Sequence, residues 1–177
     1  LMNKIFVHRR WKKVEYNYLE TTFENIYDLW SEGLWPGRVS KIEDRSALSF
    51  NYSMWKNYKN VSITKHRKLI WENKPTFWVA KEGDKLIGVN SGFKTSNDLY
   101  RSRGLYVIPE KRGQGISRML LKLTIETAKK ENCRVIWTMP RQSALIAYES
   151  VGFQKIGGWI DDEFEFGPNC IAIKQIL

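Results

Sequence analysis

With only two cysteines, two histidines and five prolines, this 177-residue chain lacks the material for several chemistries. Cys133 and Cys170 have neither a metal-ligand spacing nor the density of a disulfide framework, so reduced thiols and a cytoplasmic location are expected. His8 and His66 sit in basic stretches remote from every motif, so neither is given a role and no metal site is expected. No apolar run approaches the ~20 residues of a membrane-spanning helix, so no membrane partner is expected. Residues 1–11 contain only Ile5-Phe6-Val7 as an apolar stretch, which is too little for a secretory leader. There is no internal repeat and no low-complexity linker. One domain over 1–177 is therefore expected, with its motif-bearing core at about 76–177.

Acidic residues are also scarce. Nineteen Asp and Glu face twenty-nine Lys and Arg, a formal charge of +10. Such a field attracts anions, nucleic acid included, without choosing between them. The run Tyr52-Ser53-Met54-Trp55-Lys56-Asn57-Tyr58-Lys59 could stack single-stranded bases, but a solvated helix face with core aromatics is the plainer reading. The one dense acidic cluster, Asp161-Asp162-Glu163-Phe164-Glu165, stands near the end of the chain.

Periodicity supplies the elements. Residues 4–10 read as a first strand, and Thr21 or Thr22 can cap a helix whose apolar face is Phe23, Ile26, Leu29 and Trp30. Gly33 and Pro36-Gly37 should stop that helix, and a second one is expected around 42–58. Strands follow at 76–82, 85–93 and 99–108, with Gly83-Asp84 turning the first pair. A helix with Ile116, Met119, Leu120 and Leu123 on one face should end near Asn132. Strand 134–139, helix 142–151 and an antiparallel pair at 153–160 and 169–176 complete the expected mixed α/β order.

The most informative segment joins strand 99–108 to its helix: Arg112-Gly113-Gln114-Gly115-Ile116-Ser117. Glycines let backbone N–H groups approach a phosphate, and the unpaired amides and dipole of a new helix favour an anion there. Lys111 and Arg112 add full charges. A Walker loop is excluded, because no Lys and Ser/Thr follow the second glycine. A dinucleotide fingerprint would need a third glycine where Arg118 stands. The pattern Arg-x-x-Gly-x-Gly/Ala does fit, with Ser117 in place of the last small residue, and resembles the acetyl-CoA pyrophosphate loop of the GCN5-related N-acetyltransferases (GNATs).

A second motif strengthens that resemblance. Tyr148-Glu149-Ser150-Val151-Gly152-Phe153 is similar to the family's Tyr-Glu-x-x-Gly-Phe helix end and lies one strand beyond the loop, in the family's order. The resemblance implies the GNAT fold: a mostly antiparallel sheet with one parallel pair splayed to hold CoA, flanked by helices. It implies acetyl-CoA as co-substrate, with Arg112, Gly113, Gln114, Gly115, Ile116 and Ser117 at the pyrophosphate. It places backbone groups around Leu105, Tyr106 and Val107 along the pantetheine and thioester. Where the family often has an Asn at the start of the second helix, this chain has Arg141.

The reaction so implied is transfer of acetyl to a primary amine by direct attack in a ternary complex, the acceptor being a small-molecule or protein amine whose positive charge the acidic cluster would attract. Tyr148, protonated at neutral pH since free Tyr titrates near pH ~10, could protonate the leaving thiolate. Equally, its ring could pack against Ala144 and Val151 with the hydroxyl satisfied elsewhere. The strand before the loop carries Arg101 and Arg103 where many family members have a Glu, with Asp98 only at its start, so the base stays open. The competing function is a non-catalytic CoA- or nucleic-acid-binding module on the same fold. A second copy of the chain is an allowed partner.

Overall fold

The computed structural model describes residues 14–34, 36–37, 46–49, 62–65, 74–161 and 167–177. The expected strand at 4–10, most of the expected helix at 42–58, the run Tyr52–Lys59, both histidines and residues 162–165 of the acidic cluster lie outside these.

In chain order the elements are β1 (Asn17–Thr21), α1 (Phe23–Asp28) continued by a wider π-helical stretch (Leu29–Leu34), β2 (Ser46–Ser49), β3 (Ser62–Lys65), β4 (Thr76–Glu82), β5 (Lys85–Lys94) and β6 (Leu99–Val107). A short 3₁₀ turn (Pro109–Lys111), α2 (Ile116–Lys130), β7 (Val135–Thr138), α3 (Gln142–Glu149), β8 (Gln154–Ile160) and β9 (Asn169–Gln175) follow. The seven-stranded sheet has the order β1-β4-β5-β6-β7-β9-β8, and only its β6–β7 pair is parallel. This is the mixed α/β architecture expected.

Alternation along the strands divides the core between two faces. Tyr100, Ile136 and Ala172 face α2 and α3, where they meet Leu121, Ile125 and Leu145. Their neighbours Leu99, Val135, Trp137 and Ile173 form a separate cluster on the opposite face. The predicted apolar face of α1 packs there too: Ile26 and Trp30 are buried with Phe77, Val79 and Val89. On α2, Ile116, Leu120, Leu121, Thr124, Ile125 and Ala128 make the buried stripe, while Met119 is exposed.

Three expectations are corrected. Ser46–Ser49 is a strand paired antiparallel with Ser62–Lys65, not part of a helix. The helical preference of Ala47 and Leu48 is a weak prior over so few residues, and pairing with β-prone Ile63 and Thr64 outweighs it. Asn17–Thr21, not read as an element, is the edge strand beside β4. Gly33 does not stop the first helix, which winds on to Leu34. A Cβ at Gly33 would lie 2.6 Å from the Tyr106 ring, so the glycine there admits an aromatic neighbour. Thr22 does occupy the N-cap with extended backbone, yet it makes no side-chain cap bond. Among the described residues, no helix is long and apolar enough to cross a membrane.

Candidate active site

The site is built where β6 and β7 part. Their parallel pairing covers only Leu99↔Val135, Tyr100↔Ile136 and Arg101↔Trp137. Beyond Arg101 the strand β6 stays with β5, as far as Gly88↔Val107, while β7 is held by β9 through Thr138↔Ala172. The cause is local. The β5–β6 register shifts between Val89 and Ser91, and opposite this bulge Gly104 has φ +77°. A bulge bends its strand and increases the twist. Gly104 is needed twice over, since a Cβ there would be strained and would meet the Trp30 ring at 2.4 Å.

Hydrogen-bond direction shows which β6 groups face the gap. Ile108 N–H donates to the Ile87 carbonyl at 2.9 Å. By alternation along an antiparallel ladder, the peptide groups of Tyr106 face β5, and those of Leu105 and Val107 face the opening. Leu105 and Tyr106 are half-buried, as residues lining a cleft should be. Tyr106 thus contributes its ring, over which the Arg112 guanidinium lies at 5.7 Å from the centroid. Arg112 Nε also donates to the Val107 carbonyl at 2.9 Å, which pins the start of the glycine loop to the end of β6.

The loop has the form of an anion cradle. Gly113 (φ +74°) and Gly115 (φ +80°) are both left-handed, and the space a Cβ would fill at either is open. Gly115 is the N-cap of α2, and the first helical bond is Met119 N–H to the Gly115 carbonyl at 3.1 Å. The amides of Ile116, Ser117 and Arg118 precede it, so they are the orphan donors every helix start leaves. They suit a pyrophosphate, and α2 adds its positive dipole end. Gln114 is tethered, its side-chain carbonyl accepting from the Tyr16 hydroxyl. Lys111 is not one of the cradle's cations. Its ammonium pairs with Glu82 at 2.6 Å, which holds the 3₁₀ turn to the end of β4 and raises the lysine's pKa.

Tyr148 comes up from α3 beneath the point of divergence. Its ring stacks edge-on against Phe153 at 5.1 Å, within the core cluster that includes Ala144 and Val151. Its hydroxyl lies 3.2 Å from Ser102 Oγ. Ser102 directly follows Arg101, the last β6 residue paired with β7, so the phenol is held at the apex of the opening. The ring is therefore packed in the core, and the hydroxyl sits where the strands separate. Ser102, with Asn90 and Thr124 behind it, was not singled out from sequence. Small polar residues on strands and helices are too common to signal a network without the fold.

Arg141 is the N-cap of α3, exposed, with its carbonyl accepting from the Ala144 and Leu145 amides. It stands at the far side of the gap from the loop. Asp98 is removed from the site. It lies beyond Leu99↔Val135, at the closed end of the parallel pair, and its carboxylate is 3.6 Å from Arg134 Nε. Arg101 and Arg103 are buried on the face away from α2, with the Arg101 guanidinium 4.8 Å from the Trp137 ring centroid. No cluster of His, Cys, Asp and Glu among the described residues could hold a metal ion.

Residues 73–155, from the start of β4 past the second motif, match the acetyltransferase (GNAT) domain family. No curated protein sequence matches the chain. Among solved structures, a Lactobacillus plantarum protein assigned as an N-acetyltransferase superposes with a TM-score of 0.64 at 18% identity, covering 92% of this chain and 99% of that one. The ribosomal-protein-S18-alanine N-acetyltransferase of Escherichia coli gives a TM-score of 0.56 at 15% identity, over 92% and 94% of the two chains. An aminoglycoside 6'-N-acetyltransferase complexed with coenzyme A gives 0.51 at 14% identity, over 58% and 73%. The splayed parallel pair and these likenesses agree: the chain has the GNAT fold, and its segment 73–155 matches the acetyltransferase (GNAT) domain family.

Proposed function

We propose that this chain is an acetyl-CoA-dependent N-acetyltransferase that acetylates a primary amine by direct attack in a ternary complex, in the cytoplasm. One observation carries the reading: a glycine cradle at one end of a strand gap and a buried phenol at its apex, joined by outward-facing peptide groups of β6. Acetyl-CoA supplies the acetyl group and a thiolate leaving group. The amides of Gly113 to Ser117, with Arg112, would hold its pyrophosphate. Leu105 and Val107 would bond the pantetheine and polarise the thioester carbonyl, since an N–H aimed at the developing oxyanion lowers the barrier. Arg141 would meet a phosphate or a pantetheine carbonyl from the other side. Tyr148 would give its proton to the departing sulfur. Thiol release from acetyl-CoA over an amine panel, run beside a CoA-binding titration, tests this reading. Binding without turnover would establish instead the non-catalytic module that the +10 charge favours.

The strands around the gap carry no carboxylate: β5, β6 and β7 contain neither Asp nor Glu. The amine would then attack in its neutral form, losing its proton to water. The pH profile of kcat/KM for the acceptor should accordingly follow the amine's own pKa, and move to lower pH when a less basic amine is used. A limb that stays fixed across amines would reveal a protein base.

For the acceptor, the acidic run Asp161–Glu165 follows β8, on the connection that borders the acceptor side in the family. Converting Asp161, Asp162 and Glu163 to amides should raise the acceptor KM about threefold to tenfold with little change for acetyl-CoA, and added salt should mimic it. Equal effects on both substrates would mean a general field effect, and no effect would leave the run as surface.

A further inference from the structure

A second, fully buried polar chain runs from Tyr148 into the protein. Ser102 and Asn90 are wholly inaccessible, and Thr124 and Tyr148 are nearly so. Thr124 Oγ1 donates to the Leu120 carbonyl at 3.0 Å. Asn90 Nδ2 lies 2.8 Å from Thr124 Oγ1 and 3.0 Å from Ser102 Oγ, and Asn90 Oδ1 lies 3.1 Å from the same Ser102 oxygen. Ser102 Oγ then meets Tyr148 Oη at 3.2 Å. Thus β5, β6, α2 and α3 each contribute one member.

Donor counting gives this chain a direction. Thr124 has a single hydroxyl proton, and the Leu120 carbonyl takes it. Its oxygen can then only accept from Asn90, which fixes which end of the amide is nitrogen. The second amide hydrogen is directed at Ser102. Ser102 therefore has two arrangements. It can donate to Asn90 Oδ1 and accept from Tyr148, or accept from Asn90 Nδ2 and donate to Tyr148. Only the second supports a phenolate, and it leaves the tyrosine proton to be given elsewhere.

We infer that Ser102 is the positioning residue of the acid, turning its hydroxyl proton toward Tyr148 Oη as the phenol is deprotonated, with Asn90 and Thr124 holding the amide that allows the turn. The inference rests on the reading of Tyr148 as the acid. The proton balance closes. The carbon–sulfur bond breaks, the Tyr148 proton goes to the sulfur to give the free thiol, and the phenolate accepts from Ser102. Tyr148 is then reprotonated from solvent, which has received the proton lost by the amine. Other titratable groups in the same core cluster are Tyr100, Cys133 and Cys170, each driven up by burial and so neutral at working pH. The Lys174 ammonium lies beside Gly152 at the end of α3, and Arg101 and Arg103 are on the other face of β6.

The test is kcat against pH, with CoA Kd and melting temperature, for Ser102→Ala, Ser102→Thr, Thr124→Val, Tyr148→Phe and the Ser102→Ala/Tyr148→Phe pair. Ser102→Ala should lower kcat about tenfold, the worth of one hydrogen bond to a developing charge, and leave CoA Kd unchanged. Without that donor the phenolate is less stable, so the alkaline limb of kcat should move to higher pH. Ser102→Thr should restore both, and Ser102→Ala should add nothing in the Tyr148→Phe background. Thr124→Val should move the limb the same way by less, which keeps the test in place should Ser102→Ala not fold. An unmoved limb, or penalties that multiply in the double variant, overturns the inference. A slow Tyr148→Phe beside a full-rate Ser102→Ala overturns it alone, whereas a full-rate Tyr148→Phe overturns the acid reading as well.

Discussion

Replacing Gly115 by Val should raise the Kd for CoA by about a hundredfold or more while the protein still folds. Two lost amide–phosphate bonds at ~1.5–3 kcal/mol each give a change of this order. The position combines two properties. Its φ of +80° is one that β-branched residues rarely adopt, and nothing lies within 4 Å of where a Cβ would project. The protein itself thus presents no clash, and the open volume is the one a phosphate would use. The strain of a left-handed valine falls on one exposed loop residue and costs ~1–2 kcal/mol. Equilibrium dialysis for CoA and a thermal melt separate the two effects. A folded variant that binds CoA as tightly as the parent removes the cradle from the site. Gly113→Val, with φ +74° and the same open space, provides an independent repeat.

Tyr148→Phe should lower kcat on the order of 10²-fold, the lower range for a general acid, with CoA Kd within about twofold of the parent. The ring packs against Phe153 and the α3 neighbours, and phenylalanine keeps that packing. Only the hydroxyl is lost, and with it the 3.2 Å contact to Ser102. Some loss of stability is expected, because a buried serine hydroxyl loses a partner, although Asn90 still satisfies it. The kinetic and structural costs can be told apart by the leaving group. A thioester of a more acidic thiol needs less protonation, so the Phe penalty should shrink with it. A penalty of the same size for every thiol, or none at all, returns Tyr148 to packing.

The cradle, the second motif and the strands from β4 onward were legible in the sequence because each is a local pattern. Apolar, β-prone runs bounded by turn residues mark β4 to β6, helical spacing marks α2, and Gly113 and Gly115 mark a turn that needs left-handed backbone. The sequence also determined that β5, β6 and β7 carry no Asp or Glu, so a carboxylate base would have to come from another element. What it could not determine is how such patterns meet. That Lys111 serves Glu82 rather than a phosphate depends on the approach of β4 to the loop. Asp98, beside the site in sequence, lies at the closed end of the strand pair because a strand carries its two ends far apart. Ser46–Ser49 became a strand only through a partner thirteen or more residues away in sequence. The gap itself rests on Gly104 meeting Trp30 from another element, and the Tyr148–Ser102–Asn90–Thr124 chain gathers four elements into one buried line of bonds. Contacts of this kind are long-range. They follow from the joint packing of a sheet and its helices, and no window of residues contains them.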